Sequence, residues 1–129
     1  MFVAGACDAR MAGMNHPVMS SMGSGNYGIV AIFPVVIVAE EIGASGEKTV
    51  RALALSHLVT TFVKQYTGRP SSMCGSAVAA GTGAATAVTW LRDGSPRQVA
   101  GAVQNIAGNL AGMIREGAKG GCAREASPP

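Results

Sequence analysis

Apolar and polar positions alternate in long blocks along this chain, and the blocks predict helices. Phe2, Val3, Ala4 and Ala6 open it as apolar turns with no capping residue ahead, which reads as the end of a helix. Pro17 then directs the chain into a polar, glycine-rich stretch, 20–28, that passes without a break into the apolar run 29–39. Many of that run's residues are β-branched, as in a buried strand. Its length, the Glu40-Glu41 end and the following Gly43 favour a helix, with Pro34 accepted in an early turn.

The next helix starts at a Ser45 cap, and Glu47 suits its positive end. Val50, Leu53, Ala54, Leu58 and Thr61 recur at helical spacing and predict its buried face, with His57 on the same side. Gly68, Arg69 and Pro70 end it. An alanine-rich helix beginning at Ser71 or Ser72 runs to Leu91, and Asp93-Gly94 is a turn. Ser95-Pro96-Arg97-Gln98 starts a further helix, with Ser at the cap, Pro at the first position and Gln at the third. It carries Val99, Val103, Ile106, Leu110 and Ile114, and Gly108 with Gly112, four apart, permits a close helix crossing. From Gly117 onward the chain reads as loop, with a disordered tail over 123–129. No internal repeat or second domain is visible. The expectation is an all-α single domain over 1–129, built of about four Ala/Gly-rich helices joined by short turns.

Composition narrows the class. The 129 residues include 18 glycines and 22 alanines, while charged residues are 13% and aromatics 5%. Small side chains bury little area but let helices approach closely, so tightly packed helices within something larger are expected. A net charge of +3 with no run of basic residues speaks against nucleic acid. Two uncharged stretches, 70–91 and 98–114, approach the length of a bilayer span. They are filled with Gly, Ser, Thr, Gln and Asn, so helices buried in a soluble protein are favoured over a membrane hairpin. Cys7, Cys74 and Cys122 are too few, and too widely spaced, for a disulfide framework. No secretory signal opens the chain, and the expected compartment is the reducing cytoplasm.

Candidate chemistry begins at 20–28. Glycines let main-chain N–H groups converge, and a helix starting there adds its positive end, which makes a site for a carboxylate or phosphate. Ser20, Ser21, Ser24 and Asn26 add side-chain donors, although no phosphate-loop fingerprint follows. A simple Gly/Ser turn capping a helix accounts for the same residues. Thiolates bind zinc or iron–sulfur clusters, and Cys74 lies where a helix begins. Isolated cysteines among alanines are more often small buried apolar groups, and a lone His57 is more often a hydrogen-bonded core residue. Asp8 with Arg10 reads as an exposed pair, and the adjacent Glu40 and Glu41 diverge on a helix.

Several segments in order resemble the serine dehydratase-like alpha-subunit family, which includes L-cysteine desulfidase. They are Asp8-Ala9-Arg10-Met11-Ala12-Gly13, Pro17-Val18-Met19-Ser20-Ser21, Gly23-Ser24-Gly25-Asn26, Leu55-Ser56-His57-Leu58, Cys74-Gly75, Trp90-Leu91, Gly108-Asn109-Leu110-Ala111-Gly112-Met113-Ile114 and Gly121-Cys122-Ala123. The resemblance implies part of a helical catalytic domain, its C-terminal portion, from an oxygen-sensitive lyase with a 4Fe-4S cluster and no pyridoxal phosphate. Such lyases deaminate L-cysteine or L-serine to pyruvate, ammonia and sulfide or water. It implies Cys74 and Cys122 as cluster ligands and Ser21, Ser24, Gly25 and Asn26 as holders of the substrate carboxylate. His57 is the candidate catalytic residue. Two departures stand out. Arg115-Glu116 occupies the place where the family has cysteine and an acid, and the chain lacks the long N-terminal part in which the family's base is expected. A guanidinium cannot ligate iron.

The reading is therefore a partial lyase, truncated and inactive or of low competence alone. Its substrate is a small amino acid, and its partner is a second copy of itself or the missing N-terminal portion. The alternative is a small helical subunit that binds a carboxylate ligand or a partner chain without catalysis.

Overall fold

The computed structural model describes residues 1–68, 72–110 and 112–113. Five α-helices follow one another: α1 (Phe2–Met11), α2 (Gly25–Glu41), α3 (Gly46–Thr67), α4 (Gly81–Leu91) and α5 (Pro96–Leu110). A π-helical turn, Ser76–Ala80, runs directly into α4. Among the described residues the only extended pairing is the single bridge between Ser21 and Ser24, so the all-α expectation holds, with α1 as one helix more. None of these helices is long and apolar enough to cross a membrane. Ile114, the tail over 123–129, Arg115 and Cys122 lie outside the described residues.

The central helix α2 packs against α1, α3 and α4. It begins at Gly25, four residues before its apolar run, so part of the glycine-rich stretch is its first turn. Pro34 consequently sits in the helix interior, not in an early turn as its place in the apolar run suggested. Its ring nitrogen has no hydrogen to give the carbonyl of Val30, and the helix is held at this point by the buried side chains of Val30 and Val35. At the other end Gly43 takes φ +62°, and Ala44 N–H reaches back to the Ala39 carbonyl at 2.8 Å.

The buried face of α3 differs from the sequence expectation. Ala52, Ser56, Thr60 and Lys64 face inward, whereas Val50, Ala54, Leu58, Phe62 and Tyr66 are exposed. The close approach of α4 is the reason. A methyl group on Gly83 would strike the Ser56 carbonyl and the Thr60 hydroxyl, so only small side chains fit at this crossing. The hydroxyls brought inside are satisfied: Ser56 Oγ donates to the Ala31 carbonyl at 2.8 Å and Thr60 Oγ1 to the Ser56 carbonyl at 2.7 Å. Among the described residues nothing packs closely on Gly108 or Gly112. A methyl group at either position would meet open space.

The caps read from sequence are present. Ser45 Oγ accepts from Lys48 N–H at 3.2 Å. Ser95 N–H donates to Gln98 Oε1 at 2.8 Å, and Gln98 N–H returns to Ser95 Oγ at 3.4 Å. The core is divided into three small groups. Cys7, Ile29, Val30, Ala31 and Ala80 form one, Val35, Ala39, Ala52, Ala87 and Leu91 the second, and Cys74, Ala77, Val78 and Leu110 the third.

Candidate functional site

The site starts from a tight turn. Met22 and Gly23 both have positive φ, at 50° and 79°. That conformation closes a two-residue connection, in which Ser21 N–H donates to the Ser24 carbonyl at 3.1 Å and Ser24 N–H to the Ser21 carbonyl at 3.0 Å. Glycine adopts such a φ freely, whereas methionine rarely does, so Met22 stores local strain at the entrance to α2. The turn holds Ser21 buried and delivers Ser24 as the residue before α2, in extended conformation.

The first turn of α2 is left open. Ser24 makes no side-chain capping bond, and no acidic residue lies in that turn. The N–H groups of Gly25, Asn26 and Tyr27 thus carry the positive end of the helix without a side-chain cap from Ser24, and Gly25 and Asn26 are themselves buried. Two close approaches fix the place of this turn. A methyl group on Gly25 would meet the Arg10 side chain, and one on Gly28 would meet the Met19 carbonyl. Asn26 is buried, its Oδ1 accepting from Arg10 Nη1 at 2.9 Å while its Nδ2 contacts Met11 Sδ at 3.4 Å. Arg10 therefore anchors α1 to α2 rather than forming an exposed pair with Asp8. The Asn26 side chain is committed to that anchor, which leaves its main-chain N–H for a ligand.

Helix α3 closes the other side. His57 is half-buried, with Nδ1 2.9 Å from Ser21 Oγ. Seven residues further along the same face Lys64 is buried, with Nζ 5.2 Å from the centre of the Tyr27 ring. Tyr27 reaches across to the next segment: its hydroxyl lies where a Cβ on Gly75 would stand. Cys74 is adjacent and buried, its Sγ 3.1 Å from Ser76 Oγ, at the entry to the π-helical turn. π-Turns inside helices often mark functional positions. Cys74 N–H donates to the Met113 carbonyl at 2.9 Å, which ties this segment to the chain just beyond α5.

The structure thus brings Ser21, Ser24, Gly25, Asn26 and His57 together around the start of α2, with Tyr27 linking them to Cys74. Cys122 lies outside the described residues. An apolar groove of about 340 Å³ between α1, residues 14–19 and α2 is lined by none of Ser21, His57 or Cys74, and its only charged or titratable walls are Arg10 and His16. It lacks the converging polar groups of a reaction site.

Among the described residues the donors for a 4Fe-4S cluster are incomplete. Such a cluster needs cysteine thiolates on at least three of its irons. Cys74 is the one implied ligand placed, Cys7 packs in a different apolar group, and Cys122 and Arg115 lie outside the described residues. Among the described residues no three His, Cys, Asp or Glu side chains gather as a metal site.

Sequence reading missed Lys64 and Tyr27. The available signal was positional: Lys64 follows His57 by seven residues, which places both on one side of a helix.

The family model described as "Serine dehydratase alpha chain" matches residues 1–127. A UPF0597 protein of Clostridioides difficile (strain 630) is 52% identical over 127 residues, covering 98% of this chain and 30% of that protein. UPF0597 proteins of Bacteroides fragilis are 56% identical over 122 residues, covering 95% of this chain and 28% of theirs. One from Caldanaerobacter subterraneus is 52% identical over 124 residues, covering 96% of this chain and 29% of it. The chain spans less than a third of the length of these relatives. No solved structure matches it.

Proposed function

Because the chain belongs to the serine dehydratase alpha chain family, we propose that it supplies the carboxylate-binding face of a lyase that deaminates L-serine or L-cysteine. One observation carries the reading. The His57 imidazole is hydrogen-bonded to Ser21 directly beside the uncapped start of α2. An amino-acid carboxylate suits that start, because it accepts from the N–H groups of Gly25, Asn26 and Tyr27 and is favoured by the helix's positive end. The Ser21 and Ser24 hydroxyls border the same place. With Nδ1 engaged by Ser21, the imidazole keeps Nε2 to take or give a proton.

In the proposed reaction the substrate loses its α-proton and its β-substituent, as water or hydrogen sulfide. The resulting enamine tautomerises and hydrolyses to pyruvate and ammonia. The residues described here bind, orient and exchange protons, and no step is routed through a cluster. The alternative, a helical subunit that binds the carboxylate without turnover, is favoured by the presence of Arg115 at a family cysteine position.

Titration of the 129-residue chain with L-serine, L-cysteine and L-serinamide, followed by amide NMR, tests the binding reading. Saturable shifts of Gly25, Asn26 and Tyr27 with the two acids, and none with the amide, are expected. Equal binding of L-serinamide would overturn it. Pyruvate formation from the same samples separates turnover from binding alone.

A further inference from the structure

The outward side of α3 carries no charge over most of its length. Between Arg51 and Thr67 the only lysine, arginine or carboxylate is Lys64, which is buried on the inward side. Val50, Leu58, Phe62 and Tyr66 stand outward with 66%, 68%, 59% and 77% of their surface exposed. With the exposed Ala54 they recur every four residues and form one continuous ridge. The Phe62 and Tyr66 rings meet edge to face at 5.1 Å, which joins the end of the ridge into one aromatic surface. At its start Glu47 and Arg51 pair with each other at 2.7 Å and leave the ridge uncovered. A surface helix ordinarily turns polar residues outward, and a helix that is apolar on every side is buried. The inward side of α3 is taken by α2, the π-helical turn and α4, whereas the outward side has no cover among the described residues. Two aromatic and two branched aliphatic side chains, each more than half exposed, present roughly 500 Å², the size at which an apolar patch marks an interaction site.

The shape of the ridge decides what can cover it. Each step of four residues turns it by about 40° around the helix axis, so Val50 and Tyr66 stand about 160° apart. One helix of a second copy would cross such a ridge over a few side chains only. Covering it from Val50 to Tyr66 takes elements on two sides. The family proteins have chain for this: the matched segment is 30% of the Clostridioides difficile relative and 28% of the Bacteroides fragilis ones, which leaves more than two thirds of their length to pack on it. We propose that the outward ridge of α3 is the face on which the rest of the family polypeptide docks, through uncharged apolar side chains on two sides and an acceptor for the Tyr66 hydroxyl. α3 is then an interior helix of the family protein. The inference goes beyond the carboxylate reading and shares no residue with it.

Carbene footprinting tests this, because a photolysed diazirine inserts into exposed side chains of every type. The proteins are this 129-residue chain and the full-length Clostridioides difficile relative, each labelled at a high and a low concentration and read residue by residue by mass spectrometry. In this chain Val50, Leu58, Phe62 and Tyr66 should be labelled strongly at both concentrations. The aligned positions of the relative should be labelled several-fold less, and equally at both concentrations. Equal labelling of the two proteins overturns the proposal. Protection of this chain that grows with concentration assigns the ridge to a second copy and overturns it, and protection of the relative that is lost on dilution does the same. Low labelling of this chain at both concentrations means that the ridge is not exposed, which overturns it as well. None of these outcomes bears on L-serine binding at the start of α2, so the two readings fail separately.

Discussion

At the scale of single residues, the site depends on contacts between residues far apart in sequence. Ser21 and His57 are separated by 36 positions and meet at 2.9 Å. Replacing Ser21 by Ala removes the partner of Nδ1 and one donor beside the carboxylate site. We expect L-serine affinity to fall by about three- to tenfold, the range for one neutral hydrogen bond. The His57 ring nitrogen signals in ¹⁵N NMR should shift as well, and unchanged signals would show that the pair does not exist in solution. Gly28 is a harsher case, because a methyl group there would meet the Met19 main chain, which cannot rotate away. Gly28→Ala should destabilise by about 1–3 kcal/mol or more in urea titration, the range for overpacking in a well-packed region. The glycine-rich stretch ahead of an apolar helix marked 20–28 as a helix-capping turn or an anion site, and the resemblance singled out Ser21, Ser24, Gly25 and Asn26 within it. Sequence alone did not make Lys64 legible, since a lysine on a helix ordinarily points to water. Nor could it show that Arg10 occupies the Asn26 side chain. Those facts belong to the packing of α1, α2 and α3.

At the scale of elements, the same chain shows where periodicity informs and where it misleads. The caps at Ser45 and Ser95 are local, so four consecutive residues suffice to read them. The orientation of α3 is not local. An apolar stripe is normally the inward face, yet here Ala52, Ser56 and Thr60 turn inward because α4 comes too close for larger side chains. Two glycine substitutions separate the crossing that forms from the one that sequence suggested. Gly83→Ala would press a methyl group on the Ser56 carbonyl and should destabilise by about 1–3 kcal/mol. Gly108→Ala lies in open space in the last turn of α5 and should stabilise by up to about 0.5 kcal/mol through helix propensity. Opposite signs in chemical denaturation would establish α3–α4 as the tight contact. If both substitutions stabilise, the assigned face of α3 is wrong. Leu58→Gln gives an independent reading of the same face. Its side chain is 68% exposed, so the change should alter stability by no more than about 0.5 kcal/mol.

At the scale of the whole molecule, the number of thiolates sets what the chain can hold. The resemblance implies a 4Fe-4S cluster, and a cluster that leaves one iron open for substrate still needs three protein ligands. The chain has three cysteines in all. Cys7 packs with Ile29, Val30, Ala31 and Ala80 under α1, whereas Cys74 packs with Ala77, Val78 and Leu110 beside the end of α5. The segment that follows Met113, to which Cys74 is hydrogen-bonded, carries Arg115 and later Cys122. A guanidinium offers only donors and a fixed positive charge, so it cannot replace a thiolate on iron. Two ligands give labile binding, and we expect anaerobic reconstitution with iron and sulfide to leave far less than one cluster per chain. Arg115→Cys restores the third thiolate and should raise the retained iron and acid-labile sulfide together. The comparison is internal to one chain, so it holds whatever the rest of the relatives' length, more than two thirds of it, contributes to catalysis. Four irons retained per unmodified chain, with pyruvate formed from L-cysteine, would show that a ligand other than cysteine completes the site and would overturn the argument from donor count.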